Sequence, residues 1–225
     1  MAANPRAGTG APDSTPHLPS PELWLAQPPG LDGPAFRQRP LERSVRDALL
    51  ARAGAAQGLA GPGPALSHSG SWVACGAGQS LGAGVDLEWL RPRAVLRLAR
   101  FSYSADEAAW LAGLPTARRV AAFHELWVLK EAAGKALRLP LFTALAHCRF
   151  QLPEGDSPGR LSGTLSGELP GGAAWRAWLH APRPALRLAW LALDVAAPAP
   201  RLLEWRVGDA DPRPADWPLL AAGGG

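Results

Sequence analysis

Lysine is nearly absent. The 225 residues hold only Lys130 and Lys135 among 23 basic side chains, and the remaining 21 are arginines. A chain that writes arginine elsewhere and lysine twice within six positions points to a local need for a compact ammonium on a flexible stem, not a planar fork. Cysteine is just as scarce. Cys75 and Cys148 are the only two, and neither belongs to a Cys-x-x-Cys pair, so no thiolate metal or dithiol redox motif is present. They read as two buried thiols of a reducing compartment, the alternative being a disulfide between them. No apolar run reaches membrane-spanning length, and residues 1–22 lack the basic start and apolar middle of a secretory leader. The expectation is a cytoplasmic protein without a membrane contact. Basic runs interleaved with aromatics are also missing. The formal charge of +4 and the pI of about 9.8 therefore give no argument for nucleic acid. They suit anionic small molecules or acidic protein partners.

What is plentiful is apolar surface: 47% of the residues are hydrophobic, enough for a sizeable core in one domain of two lobes or in two small domains. The 25 glycines and 24 prolines agree with a GC-rich coding bias and carry little structural meaning.

Residues 1–22, rich in Pro, Ala, Gly and Ser, read as a disordered tail. Glu22 to Ala26 is a short strand or turn. Arg39 to Ala53 has the period of an amphipathic helix, with Leu41, Val45 and Leu49 on its apolar side and Arg43, Arg46 and Arg52 on or near the polar one. Those arginines are either a solvated face or phosphate contacts. Gly54 to Pro64 is a connector. Ser67-His68-Ser69 follows, three hydrogen-bonding side chains at an element boundary, either a place to meet a ligand or the setting of a structural histidine, before an apolar strand from Trp72 to Cys75.

In Gly84-Val85-Asp86-Leu87-Glu88, strand alternation places Asp86 and Glu88 on one face and Val85 and Leu87 on the other. Two neighbouring carboxylates repel unless a cation or a basic partner relieves them, and an isolated Asp-x-Glu is more often a solvent-facing strand edge. Arg93 to Arg100 reads as a helix, and Ser104 caps another with Asp106 and Glu107 in its first turn. A long helix with few breakers spans Ala117 to Leu137 and carries both lysines; Glu131 and Lys135 are four apart on one face, either an exposed ion pair or part of a site. Beyond Pro140, Cys148 to Leu152, Ala174 to His180 and Leu186 to Leu193 read as antiparallel strands, with loops between Gly155 and Gly172 and a Pro-rich tail at the end.

Asp86 and Glu88 from a strand, with Glu131 from a helix 45 positions after Asp86, give three carboxylates without histidine or thiolate. That is a hard-cation set suited to Mg²⁺, which completes its shell with water and substrate phosphate. Lys130 and Lys135 can meet phosphate oxygens as point charges. The set reads as a magnesium-assisted reaction at a diphosphate.

Gly84-Val85-Asp86-Leu87-Glu88, followed by Leu126-Trp127-Val128-Leu129-Lys130-Glu131-Ala132-Ala133-Gly134-Lys135, resembles the bipartite signature of the 4′-phosphopantetheinyl transferase superfamily. Ser67-His68-Ser69-Gly70 resembles the motif that its long, Sfp-type (surfactin-synthetase-activating) members carry upstream. The resemblance implies an α+β fold of two similar lobes in a pseudo-two-fold arrangement, each a small antiparallel sheet packed on a long helix. It places an N-terminal lobe at 23–83, a C-terminal lobe with the metal site at 84–200 and a tail at 201–225.

By the same resemblance, Mg²⁺ is held by Asp86, Glu88 and Glu131, and coenzyme A is the co-substrate. Glu131 and Lys135 are catalytic. Ser67, His68, Lys130, Lys135, Arg43 and Arg46 contact the nucleotide or phosphates, with Lys130 either serving the phosphates or supporting Glu131. The partners are apo acyl, peptidyl or polyketide carrier proteins, the enzyme is a monomer, and Arg91, Arg93, Arg97 and Arg100 are the candidate carrier surface or a solvated helix face. The chain departs from the pattern in one place: the Gly-Lys-Pro-like segment of long members is replaced by the lysine-free Gln57 to Pro64. A catalytically impaired carrier-binding module of the same fold, or another Mg²⁺-dependent enzyme of nucleotide diphosphates, are the rival expectations.

Overall fold

The chain is described by a computed structural model over residues 20–28, 39–57, 65–77, 82–152 and 164–225. The expected tail through residue 19, most of the connector after Gln57 and part of the loops after Gly155 lie outside these residues.

The fold is mixed α+β. Strand β1 (Glu22–Gln27), helix α1 (Arg39–Gln57), and the hairpin of β2 (Ala65–Ser69) and β3 (Trp72–Ala77) come first. Strand β4 (Ala83–Trp89) is followed by helices α2 (Val95–Ser102), α3 (Ala105–Gly113), α4 (Thr116–Leu137) and α5 (Leu141–His147). Then come β5 (Arg149–Gln151), β6 (Ser166–Glu168), β7 (Arg176–Arg183), β8 (Leu186–Ala192), β9 (Arg201–Arg206), β10 (Arg213–Pro214) and β11 (Leu219–Gly224). One sheet has the order β10-β9-β1-β3-β2, a second the order β11-β7-β8-β4, and β5 pairs with β6. The pairings between these strands are antiparallel except β1 with β9.

Strand alternation builds the layers. In β1, Leu23 and Leu25 face the second sheet, where they meet Val85, Leu87, Leu188 and Trp190. Trp24 and Ala26 face the other way, onto Val45, Leu49 and Ala53 of α1. In the second sheet, Leu179, Ala189 and Leu191 pack against the helices, chiefly Phe123, Leu126, Leu129 and Ala133 of α4. The order through the molecule is therefore α1, first sheet, second sheet, then α4 with its neighbouring helices. Each sheet lies against one long helix, as expected from the resemblance.

Three features position α4. Gly84 lets β4 approach closely, since a Cβ there would stand 2.0 Å from the Ala132 carbonyl oxygen. Buried Glu125 of α4 accepts from Arg187 of β8 at 3.0 Å and from Arg118. Ser104 and Glu107 form a capping box that starts α3, as the sequence reading has it.

Other readings need correction. The stretch expected as a C-terminal tail forms three strands: β9 and β10 enter the first sheet and β11 enters the second. Helix α5 fills the stretch between Pro140 and the strand expected from Cys148, where no element was assigned, and α1 runs into the expected connector as far as Gln57. Ser67, His68 and Ser69 lie within β2; the boundary is the turn after them, at Gly70 with φ 62°.

Candidate active site

Strand β4 and helix α4 bring Asp86 and Glu131 to either side of Lys135. Because Val85 and Leu87 are drawn into the core between the sheets, the pleat sends Asp86 and Glu88 to the α4 side. Lys135 Nζ donates to Asp86 Oδ1 at 2.6 Å and to the Val85 carbonyl at 3.0 Å, and it lies 4.0 Å from Glu131 Oε2. Burial raises the Asp86 carboxyl above its ordinary range, against the pull of Lys135 and Ser67. Glu88 is raised by burial and then by Asp86. Glu131 is pushed up to about 7, first by burial and then by Asp86. Each of these carboxylates thus lies in the field of another.

The Ser-His-Ser run divides its work between the two faces of β2. Ser67 Oγ donates to Asp86 Oδ1 at 2.8 Å and accepts the Leu87 amide at 3.1 Å. Ser69 Oγ donates to Glu88 Oε2 and accepts the Trp89 amide, both at 3.0 Å. His68 points to the opposite face. There it lines a pocket of about 110 Å³ with Arg43 and Arg46 of α1, beside Leu66 and Val73. The arginine and histidine candidates are therefore together, while the Ser67 hydroxyl is not the expected phosphate donor. Its single proton is already given to Asp86, although the residue borders the pocket.

Lys130 is not at this site. Adjacent residues of a helix point about 100° apart, and Lys130 turns into the core where Glu131 does not. It is fully buried, pairs with Glu107 at 2.8 Å, and donates to the carbonyls of Leu145, at 2.8 Å, and Cys148. Glu107 in turn accepts the Phe150 amide at 3.1 Å. The lysine ties α4 to α3 and α5, and through Glu107 to β5, so neither expected role, phosphate contact or support of Glu131, is what it does.

Donor chemistry fits a hard divalent cation: three carboxylates sit in one another's field, and Asp86 Oδ2 is buried without a hydrogen-bond partner. The arrangement as it stands is ion-paired through Lys135. Among the described residues no three His, Cys, Asp or Glu side chains are gathered as a ready ligand set.

Residues 82–188 match the model of the 4′-phosphopantetheinyl transferase superfamily. The match spans just under half of the chain. Asp86, Glu88, Glu131 and Lys135 fall inside the matched stretch, whereas Arg43, Arg46, Ser67 and His68 precede it. No curated protein matches the chain.

Helices α2 and α5 present a feature that sequence reading missed. Phe101 is 79% exposed and Phe142 63% exposed, and their rings meet edge-on at 6.1 Å. Arg97 and Arg100 are exposed on the same helix as Phe101. The signal was an aromatic residue on the otherwise basic side of a short helix. Among the described residues no helix is long and apolar enough to cross a membrane.

Proposed function

We propose that this chain is a 4′-phosphopantetheinyl transferase of the long, Sfp-like type. It moves the 4′-phosphopantetheine group of coenzyme A to a serine of an apo acyl, peptidyl or polyketide carrier protein and releases adenosine 3′,5′-bisphosphate. The observation that carries this reading is that Lys135 of α4 meets Asp86 of β4 and lies near Glu131 of its own helix, with Glu88 two residues along the same face of β4, within a stretch that matches the superfamily.

Asp86, Glu88 and Glu131 would hold Mg²⁺, which when bound neutralises charge on the pyrophosphate. The remaining work falls to the chain. Lys135 meets the phosphate oxygens as a point charge, and removing a comparable stabiliser costs several kcal/mol of barrier. Glu131 accepts the proton of the carrier serine. His68, Arg43 and Arg46 hold the phosphates at the nucleotide end. The exposed Phe101–Phe142 pair with Arg97 and Arg100 offers an acidic carrier an apolar anchor inside a basic rim. The enzyme acts as a cytoplasmic monomer, in the compartment of coenzyme A and the carriers.

The second reading is a carrier-binding module without turnover, favoured by the ammonium already paired with Asp86. Incubation with coenzyme A, Mg²⁺ and apo carrier proteins, followed by weighing the carrier, separates the two. The transferase adds one phosphopantetheine to the carrier mass; tight carrier binding with unchanged mass supports the second reading. In the same assay, Arg43→Ala and His68→Ala should each raise the coenzyme A KM about tenfold with little change in kcat, as expected for uniform binding contacts.

A further inference from the structure

The two large sheets, stacked face to face, bring an outer strand of each to the site. Strand β2 is the outer strand of one and β4 the outer strand of the other, and no backbone ladder joins them. Two serine hydroxyls stand in its place. Each is fixed by an amide of β4, Leu87 for Ser67 and Trp89 for Ser69, and each gives its proton to the carboxylate just before that amide, on Asp86 and Glu88 respectively. The device repeats two residues on along both strands, so the strand period itself keeps the hydroxyls and carboxylates in register.

A hydroxyl held by an amide cannot swing, and a carboxylate holding that hydroxyl's proton is fixed with it. On Asp86, Ser67 and Lys135 engage Oδ1 and leave Oδ2 without a partner. On Glu88, Ser69 engages Oε2.

We propose that Ser67 and Ser69 are positioning residues that hold one oxygen of Asp86 and of Glu88 so that these carboxylates are preset for a divalent cation. The proposal rests on the transferase reading for its cation. It reassigns Ser67 from the nucleotide to the acidic residues. Partners of ligating carboxylates typically contribute 10–100-fold in metal affinity.

The test is a titration of the protein alone with Mn²⁺, following the electron paramagnetic signal of the free ion. Thermal unfolding of the metal-free protein is measured in parallel. Ser67→Ala and Ser69→Ala should each weaken Mn²⁺ binding about tenfold, the double variant more. Ser67→Thr, which keeps the hydroxyl, should restore it to within a few-fold. Ser69→Ala, at the less buried carboxylate, carries the test should Ser67→Ala not fold. Lower unfolding temperatures with unchanged Mn²⁺ affinity would overturn the proposal, because the hydroxyls would then serve only the sheet seam. Wild-type protein whose Mn²⁺ binding is indifferent to Asp86→Asn would overturn it too. Serine-dependent Mn²⁺ binding by a protein that modifies no carrier would leave the positioning role standing and remove the transferase reading.

Discussion

Glu131 sits one helical turn from Lys135 and in the field of Asp86, and its carboxyl is held near 7 where an exposed glutamate titrates near 4.5. Glu131→Gln should lower phosphopantetheine transfer at least 100-fold and leave the far-ultraviolet circular dichroism unchanged, since the substitution keeps the shape and removes the base and the charge. The same raised group makes a thermodynamic prediction. Between about 4.5 and 7 the folded protein keeps a proton on Glu131 that the unfolded chain has released. The stabilisation is full below the unfolded value and is lost as pH rises through about 7. His124 and His180, both pushed down to about 4 by burial, act in the opposite direction and lose stability as pH falls. The comparison must therefore be between proteins: in metal-free buffer, the unfolding temperature of wild type minus that of Glu131→Gln should fall from pH 4.5 to 7.5. The carboxylates and Lys135 were legible in the sequence because charge and strand alternation announce them. The Ser67 and Ser69 contacts were not, because they join residues 19 and 20 apart across two sheets and have no local signal.

At the level of elements, α4 carries chemistry on one side and structure on another, from residues that are neighbours in sequence. Lys130 and Glu131 show the division, and Lys130 was misread because its scarcity speaks for an ammonium without saying where it points. Its removal strands Glu107 and two carbonyls in the core, which typically costs about 3–5 kcal/mol. Lys130→Met should lower the unfolding temperature sharply; in protein that still folds, the coenzyme A KM should stay within about twofold of wild type, whereas Arg43→Ala raises it. Helices α1 and α4 were legible from apolar period and from the lack of breakers. Helix α5 was hidden because Leu141 to His147 spans barely two turns and follows a proline.

The whole molecule closes on itself through its last residues. Strand β9 lies parallel to β1, with Arg201 opposite Glu22, and β11 borders β7 in the other sheet. Pairing across so long a loop leaves no periodic trace at either end, and the Pro-rich approach to β9 disguised it as a tail. Truncation after Pro200 removes a neighbour of β1 and an edge of the second sheet, so it should yield insoluble or unfolded protein, read by circular dichroism and size exclusion. The order of layers places β4 and β2 at the junction of the two sheets, and the candidate site stands on that junction. The most direct measurement is the anomalous diffraction of Mn²⁺ in crystals grown with coenzyme A. One peak bonded to Asp86, Glu88 and Glu131, with Lys135 turned from Asp86 to a phosphate oxygen, is the predicted result. An ion bound elsewhere, with the Lys135–Asp86 pair intact beside bound coenzyme A, would contradict it.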